Sequence, residues 1–318
     1  MTVGRFAPSP TGDLHLGSAL AALAAWASVR RSGGRFIYRV EDLDGPRAVP
    51  GAADRQLEDA RWLGLDWDEG PDVGGPHGPY HQSERSGIYE SALRRLAGDG
   101  HLFPCRVSRR DLRQLASAPH GASGLPPYPA SLRPGNLASG WFDDERQRHD
   151  AALRFRVEPG AVDFRDRVAG AVSEDVSGTT GDFVLKRRDA VYAYQLAVVV
   201  DDLAMGVTEV VRGMDLLDST ARQILLIRAF GGHVPTYAHL PLLINPDGRK
   251  LSKRDGALTI REVRDAGISA ESLIGWLAAA LGLPGGPQTP AEVARTFDLG
   301  HVRPDPVVVP SDLISLLA

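Results

Sequence analysis

The chain has a single cysteine, Cys105, which excludes an intramolecular disulfide. It also lacks any apolar run near the roughly 18 residues of a membrane-spanning helix: the longest, Ala19 to Ala27, is about half that and mostly Ala. No charged n-region, apolar h-region and cleavage site open it. Met1-Thr2-Val3-Gly4-Arg5 runs straight into a strand-like pattern, so no export signal is expected and the cytoplasm is the expected compartment. There is no internal repeat and no long low-complexity tract. Nor is there an excess of positive charge: a net charge of -4 and a pI near 6.1 do not announce a nucleic-acid binder, although a basic face can sit on an acidic molecule. What is present is a globular composition, 43% hydrophobic and 24% charged, over 318 residues. That is more than one compact core usually holds and predicts two or three domains, or one domain with a large insertion.

Val3 to Pro8 reads as a short strand, followed by the turn-rich Ser9-Pro10-Thr11-Gly12-Asp13, with Asp13 suited to cap a helix. The Ala- and Leu-rich stretch from Leu14 to Arg31 then predicts a helix, stopped by Arg30-Arg31-Ser32-Gly33-Gly34. A second strand, Arg35 to Val40, completes a βαβ unit, which implies a parallel sheet with its ligand site at the carboxyl ends of the strands. Asp54 to Leu65 and Glu84 to Asp99 have helical spacing, with a Gly/Pro-rich loop between them from Gly70 to Pro79. From about Phe103 to Asp182 the chain is richer in Arg and Pro and reads as an inserted α+β subdomain. The βα character returns with Ala193 to Val200 and Val207 to Arg212, then a helix from Asp218 to Phe230 and a strand from Leu240 to Asn245. Helices follow, clearest from Ser272 to Leu281, and beyond Leu283 the chain is Pro-rich. The expected fold is α/β: a Rossmann-like parallel sheet split by an inserted α+β subdomain, with a small helical C-terminal region. The expected divisions are 1–104, 105–185, 186–247 and 248–318.

Two stretches carry chemistry. At the first strand-to-helix junction, Pro8-Ser9-Pro10-Thr11-Gly12-Asp13-Leu14-His15-Leu16-Gly17-Ser18 offers free N–H groups at a helix N-terminus, close approach at Gly12 and Gly17, and a donor in His15. That suits a nucleotide phosphate; taken alone it is also what a satisfied histidine in an ordinary βα turn looks like. The second stretch, Arg249-Lys250-Leu251-Ser252-Lys253-Arg254, follows the turn-like Asn245-Pro246-Asp247-Gly248. Four cations in six positions suit a triphosphate, though alone they equally describe a solvated basic loop.

Together, Pro-x-Pro-x-Gly-x-x-His-x-Gly and the later Lys-Leu-Ser-Lys-Arg resemble, in order and spacing, the two signatures of class I aminoacyl-tRNA synthetases. Arg5-Phe6-Ala7-Pro8-Ser9-Pro10-Thr11-Gly12 and Arg39-Val40-Glu41-Asp42-Leu43-Asp44 resemble the glutamyl members rather than the glutaminyl ones. The resemblance extends through Tyr194 to Asp202 and Val207 to Gly213. It implies that Arg5, Ala7, Ser9, Glu41, Tyr194 and Arg212 contact L-glutamate, and that Pro8, Thr11, Gly12, His15, Gly17, Ser18, Lys250, Ser252, Lys253 and Arg254 contact ATP with its Mg²⁺. The chemistry agrees: two carboxylates call for guanidinium groups such as Arg5 and Arg212, and an ammonium calls for an anion such as Glu41.

Val198 stands where full-length glutamyl enzymes often have Asn, and the chain stops about sixty residues after Arg254, too soon for a helical anticodon-binding domain of typical size. Both features resemble the short glutamyl-queuosine tRNA(Asp) synthetase branch. That resemblance implies glutamate activation without tRNA, then transfer to the queuosine base of tRNA(Asp), by a monomer without a membrane partner. Members often hold zinc through Cys-x-Cys and Tyr-x-x-x-Cys; here Cys105 and Tyr128 match, but Val107 and Leu132 replace the other two cysteines. No zinc is expected, with Pro104, Pro126, Pro127 and Pro129 stiffening the loop instead. His101, His120 and His149 show no ligand-like spacing. In the implied reaction the already ionised α-carboxylate of glutamate attacks the α-phosphorus of ATP, and His15 and Lys253 stabilise the developing charge, with Lys250 or Arg254 assisting. The rival readings are a compact enzyme charging the 3′ end of tRNA(Glu), and a non-catalytic RNA-binding paralogue.

Overall fold

The computed structural model describes residues 1–108, 110–112, 127–249 and 258–318. At its centre are parallel strands whose alternate side chains serve two cores, as a period of two requires. Strand β1 (Val3–Phe6) pairs in parallel with β2 (Arg35–Tyr38). Strands β3 (Leu102–Cys105), β4 (Ala152–Phe155), β5 (Val162–Asp166), β6 (Gly170–Glu174) and β7 (Phe183–Lys186) follow along the chain. Beside β1 runs β8 (Glu209–Gly213), tied to it where the Thr208 N–H donates to the Val3 carbonyl at 2.8 Å. Strand β9 (Thr236–Leu240) lies parallel to β8, and β5 then adds to β9 in parallel, with β6 antiparallel at the edge.

Phe6, Phe36, Tyr38, Val211, Ala238 and Leu240 point to one face of this sheet. There they meet α1 (Leu16–Arg31), α2 (Ala52–Trp62) and the C-terminal helices, of which Ala270–Ala280 and Pro290–Thr296 supply most of the apolar cover. Val3, Ile37, Val210 and Tyr237 point to the other face, against α3 (Ser86–Gly98), α4 (Tyr194–Ala204) and α5 (Leu217–Ala229). Packed on that second core is an antiparallel sheet of order β3-β4-β7. The molecule is thus α/β with its central strands split in sequence. No described helix is long and apolar enough to cross a membrane.

The structure departs from the sequence reading in four places. Asp13 does not cap α1: its carboxylate pairs with Arg55 at 2.6 Å, and His15 is the N-cap, its Nδ1 accepting the Ser18 N–H at 3.2 Å. The segment from Ala193 is a helix, α4, despite its valines, because every residue from Gln195 to Asp202 is buried between the sheet and its covering layer. The strand expected from Leu240 is two strands, β9 and a short β10 (Leu243–Ile244), interrupted at Pro241-Leu242, and β10 pairs with β11 (Val307–Val308) from the Pro-rich tail. Finally β5 and β6, which lie inside the stretch read as an insertion, extend the central sheet rather than only the added one.

Candidate functional site

The carboxyl ends of β1 and β8 open onto a cavity of about 1020 Å³, the crevice where an α/β sheet places its ligands. Its first wall is the turn from β1 into α1. Gly12 sits at φ 132, a backbone conformation that L side chains resist. Gln56, buried on α2, donates to the carbonyls of Ser9 at 3.2 Å and Gly12 at 2.6 Å, pinning the turn. Since His15 Nδ1 accepts the Ser18 N–H, the ring proton of the neutral imidazole sits on Nε2, 3.2 Å from Ser18 Oγ. Gly17 makes room for this ring: a Cβ there would lie 3.0 Å from His15 Cε1.

Of the residues expected at ATP, Pro8, Thr11, His15, Gly17 and Ser18 line this cavity, and Gly12 shapes the turn behind it. Lys250, Ser252, Lys253 and Arg254 lie outside the described residues. The described residues on either side of them are held by hydrogen bonds. Before it, Asn245 and Arg249 close the expected turn with two 2.8 Å bonds; after it, Leu258 accepts the Leu16 N–H and Ile260 donates to the Leu14 carbonyl.

All six residues expected at glutamate, Arg5, Ala7, Ser9, Glu41, Tyr194 and Arg212, line the same cavity. Two charge networks behind it were not visible in the sequence. In the first, Asp202 of α4 binds Arg39 Nη1 at 2.7 Å and Arg5 Nε at 3.3 Å, while Arg39 Nη2 reaches Glu41 at 3.0 Å. Arg39 is wholly buried. Burial opposes its charge, but Asp202, Asp201 and Glu41 outweigh that and hold its pKa above the ordinary value. Burial likewise pushes the Asp202 carboxyl up, and Arg5 and Arg39 overcome it to leave the group below the usual carboxylate range. For Glu41 the balance reverses: burial wins over Arg39 and raises its pKa. Asp201 anchors the network from behind through Arg85, Gln82 and Tyr89 at 2.6, 2.8 and 2.9 Å.

In the second network, Arg212 donates to His239 Nε2 at 3.0 Å, Gln223 Oε1 at 2.8 Å and Thr220 Oγ1 at 2.8 Å, with the Leu216 carbonyl at 3.3 Å and the Tyr194 hydroxyl at 3.5 Å. Among the described residues none of its partners is a carboxylate. Burial raises the Tyr194 phenol despite the opposing Arg212, so it faces the cavity as a neutral hydroxyl.

A family model described as tRNA synthetases class I (E and Q), catalytic domain, matches residues 1–286. The chain belongs to that family. The glutamyl-Q tRNA(Asp) synthetase of Symbiobacterium thermophilum is 51% identical over 100% of this chain and 99% of its own length; that of Nitratidesulfovibrio vulgaris is 43% identical over 100% and 98%. The glutamate–tRNA ligase of Desulforamulus reducens is 39% identical, matching 98% of this chain but 65% of the longer ligase. Among solved structures, a glutamate tRNA ligase from Elizabethkingia meningosepticum in complex with its amino acid superposes with a TM-score of 0.86 at 29% identity, over 99% of this chain and 68% of that one.

At the four positions where the resemblance would place zinc ligands, the fold brings the side chains together. Cys105 Sγ donates to the Tyr128 hydroxyl at 3.4 Å, which donates to the Leu132 carbonyl at 3.1 Å, and Val107, Leu132, Phe103 and Leu112 pack around them. Burial pushes the Tyr128 phenol up. A neutral phenol, one thiol and two aliphatic side chains do not fit zinc, which takes four N or S ligands in structural sites. Among the described residues, no group of three or more His, Cys, Asp and Glu could hold a metal.

Proposed function

We propose that this chain activates L-glutamate with ATP to glutamyl-AMP without tRNA, and then transfers glutamate to the queuosine base in the anticodon of tRNA(Asp). The observation that carries the reading is the single cavity of about 1020 Å³ whose wall bears both the His15 turn and Arg5, Glu41, Tyr194 and Arg212. Its size suits an amino acid beside a nucleotide. The acceptor rests on the relatives matched along nearly their whole length, which are named glutamyl-Q tRNA(Asp) synthetases.

Glu41 takes the ammonium of glutamate. Arg212, a buried guanidinium with neutral partners, takes the side-chain carboxylate, which has no part in the chemistry; Arg5, its charge shared with Asp202, adds a second cation. The α-carboxylate, ionised near neutral pH, attacks the α-phosphorus; the bond to the β,γ-phosphates breaks, giving a mixed anhydride and pyrophosphate. His15, through Nε2–H, and Lys253 stabilise the charge that develops, with Lys250 or Arg254 assisting. Mg²⁺ enters as the ion that ATP carries. A hydroxyl of the queuosine ring then attacks the anhydride and releases AMP. The 105–185 stretch is read as the acceptor-facing subdomain, and the enzyme as a cytoplasmic monomer.

The test is glutamate-dependent ATP–pyrophosphate exchange without tRNA, followed by charging of queuosine-bearing tRNA(Asp) and of tRNA(Glu). Exchange together with an ester on tRNA(Asp) is the expected result. Exchange with an ester on tRNA(Glu) alone would replace the acceptor, and no exchange at all would overturn the reading.

A further inference from the structure

Arg212 is met on its Nε–H by a histidine, and that contact fixes more than it first shows. Arg212 and His239 are cross-strand partners on β8 and β9, and Asp166 ends β5, the next strand across. His239 is wholly buried and Asp166 nearly so. A guanidinium Nε–H only donates, so His239 Nε2, 3.0 Å away, must present a lone pair. The ring proton is therefore on Nδ1, where Asp166 Oδ2 accepts it at 2.6 Å. Asp166 cannot swing away: its Oδ1 accepts the N–H groups of Val168 at 2.9 Å, Ala169 at 2.8 Å and His239 itself at 3.1 Å.

We infer that Asp166 and His239 are a positioning pair for Arg212, setting the His239 tautomer so that the guanidinium is held with its charge available to the side-chain carboxylate of glutamate. The inference rests on the proposed glutamate site. The other tautomer, or a protonated ring, would set Nε2–H against the Arg212 Nε–H. The surroundings disfavour protonation: burial, Arg212 and Arg5 lower the His239 pKa and outweigh the opposing pull of Asp166. Tyr237 stacks near the ring at 6.1 Å as an apolar neighbour, and Thr220 Oγ1, 3.2 Å from Nε2, adapts to either role.

Replacing Asp166 by Asn separates tautomer control from packing. Asn keeps an Oδ1 for the three backbone N–H groups but turns an NH₂ toward His239 Nδ1, driving the ring proton to Nε2. His239→Gln offers Arg212 an amide oxygen near the place of Nε2 and has no tautomer to set. In glutamate-dependent ATP–pyrophosphate exchange, Asp166→Asn should raise KM for glutamate about tenfold or more while KM for ATP stays within about twofold. In the His239→Gln background the same change should add no more than about twofold. Selective ¹⁵N-imidazole labelling, with His239 assigned by its loss in His239→Gln, should show the Nδ1–H form in the wild type and the Nε2–H form in Asp166→Asn. Unchanged glutamate KM in a folded Asp166→Asn protein, equal losses for both substrates, or an undiminished effect in the His239→Gln background would each overturn the pair alone. A wild-type protein without glutamate-dependent exchange would overturn the functional reading and this inference with it.

Discussion

Thr259 lies across an isolated antiparallel bridge from His15. Two backbone bonds flank that bridge, and Thr259 and Glu262 form a reciprocal capping box that starts the helix Ile260–Asp265. Residues 258–260 are therefore fixed to the first turn of α1, although more than two hundred residues separate the two in the chain.

His15 holds two jobs that substitution can divide. His15→Ala removes both the cap acceptor and the Nε2–H; it should lower stability by about 1 kcal/mol and the exchange rate by about a hundredfold. His15→Asn restores a cap acceptor, so its melting temperature should stay near the wild-type value while the rate stays low. Thermal melts beside exchange kinetics check this; full activity in either variant would remove His15 from the chemistry.

Arg212→Lys keeps a positive charge but cannot satisfy His239, Gln223 and Thr220 from one planar fork. It should raise KM for glutamate at least about tenfold and leave KM for ATP nearly unchanged, as steady-state exchange would show. A wild-type glutamate KM in this variant would move the side-chain carboxylate elsewhere.

Asp59 of α2 is wholly buried, neither carboxyl oxygen has a hydrogen-bond partner among the described residues, and Arg261 stands 3.7 Å away. Burial, partly offset by Arg261 and reinforced by Asp13 and Glu58, pushes it up to about 6. Between its unfolded value of 3.8 and about 6 the folded chain binds the extra proton, so stability falls as pH rises through that window and is flat above it. The displacement corresponds to about 3 kcal/mol, of which Asp59→Asn should recover about 1–2 kcal/mol at pH 7.5 and much less at pH 4.5. Denaturant melts at the two pH values compare them, and an equal gain at both would exclude ionisation as the cause.

The Cys105–Tyr128 cluster should be indifferent to metal. Prolonged treatment with a strong zinc chelator is expected to leave the melting temperature unchanged, whereas Cys105→Asp, which buries a charge among Phe103, Leu112 and Tyr128, should lower stability by about 3 kcal/mol or more. Purified protein carrying near one equivalent of zinc would count against this account.

The parts legible in the sequence are those whose cause is local. The βαβ start, the Gly12 turn and the Asn245–Arg249 turn are each set by a few consecutive residues, and Arg5, Glu41, Tyr194 and Arg212 stand inside contiguous motifs. Asp202, Gln56, Asp166 and His239 act on partners far along the chain, and no local pattern marks a carboxylate that will meet two arginines from distant segments. The α4 helix hides for a related reason: its three consecutive valines locally favour a strand, and the packing that overrides that preference comes from elements far along the chain. Asp13 shows that a good capping residue loses its role when a nearby Arg55 offers a charge partner.

Strand β5 has a bearing on how this enzyme can be taken apart. Because it extends the central sheet beside β9 and carries Asp166, the stretch around it is not a cassette that can be cut out and exchanged between relatives. A graft bounded at 105 and 185 would have to bring its own equivalent of Asp166 to keep Arg212 in place. Shuffled or trimmed versions should therefore divide by whether that one aspartate survives, more than by how much of the remainder is retained.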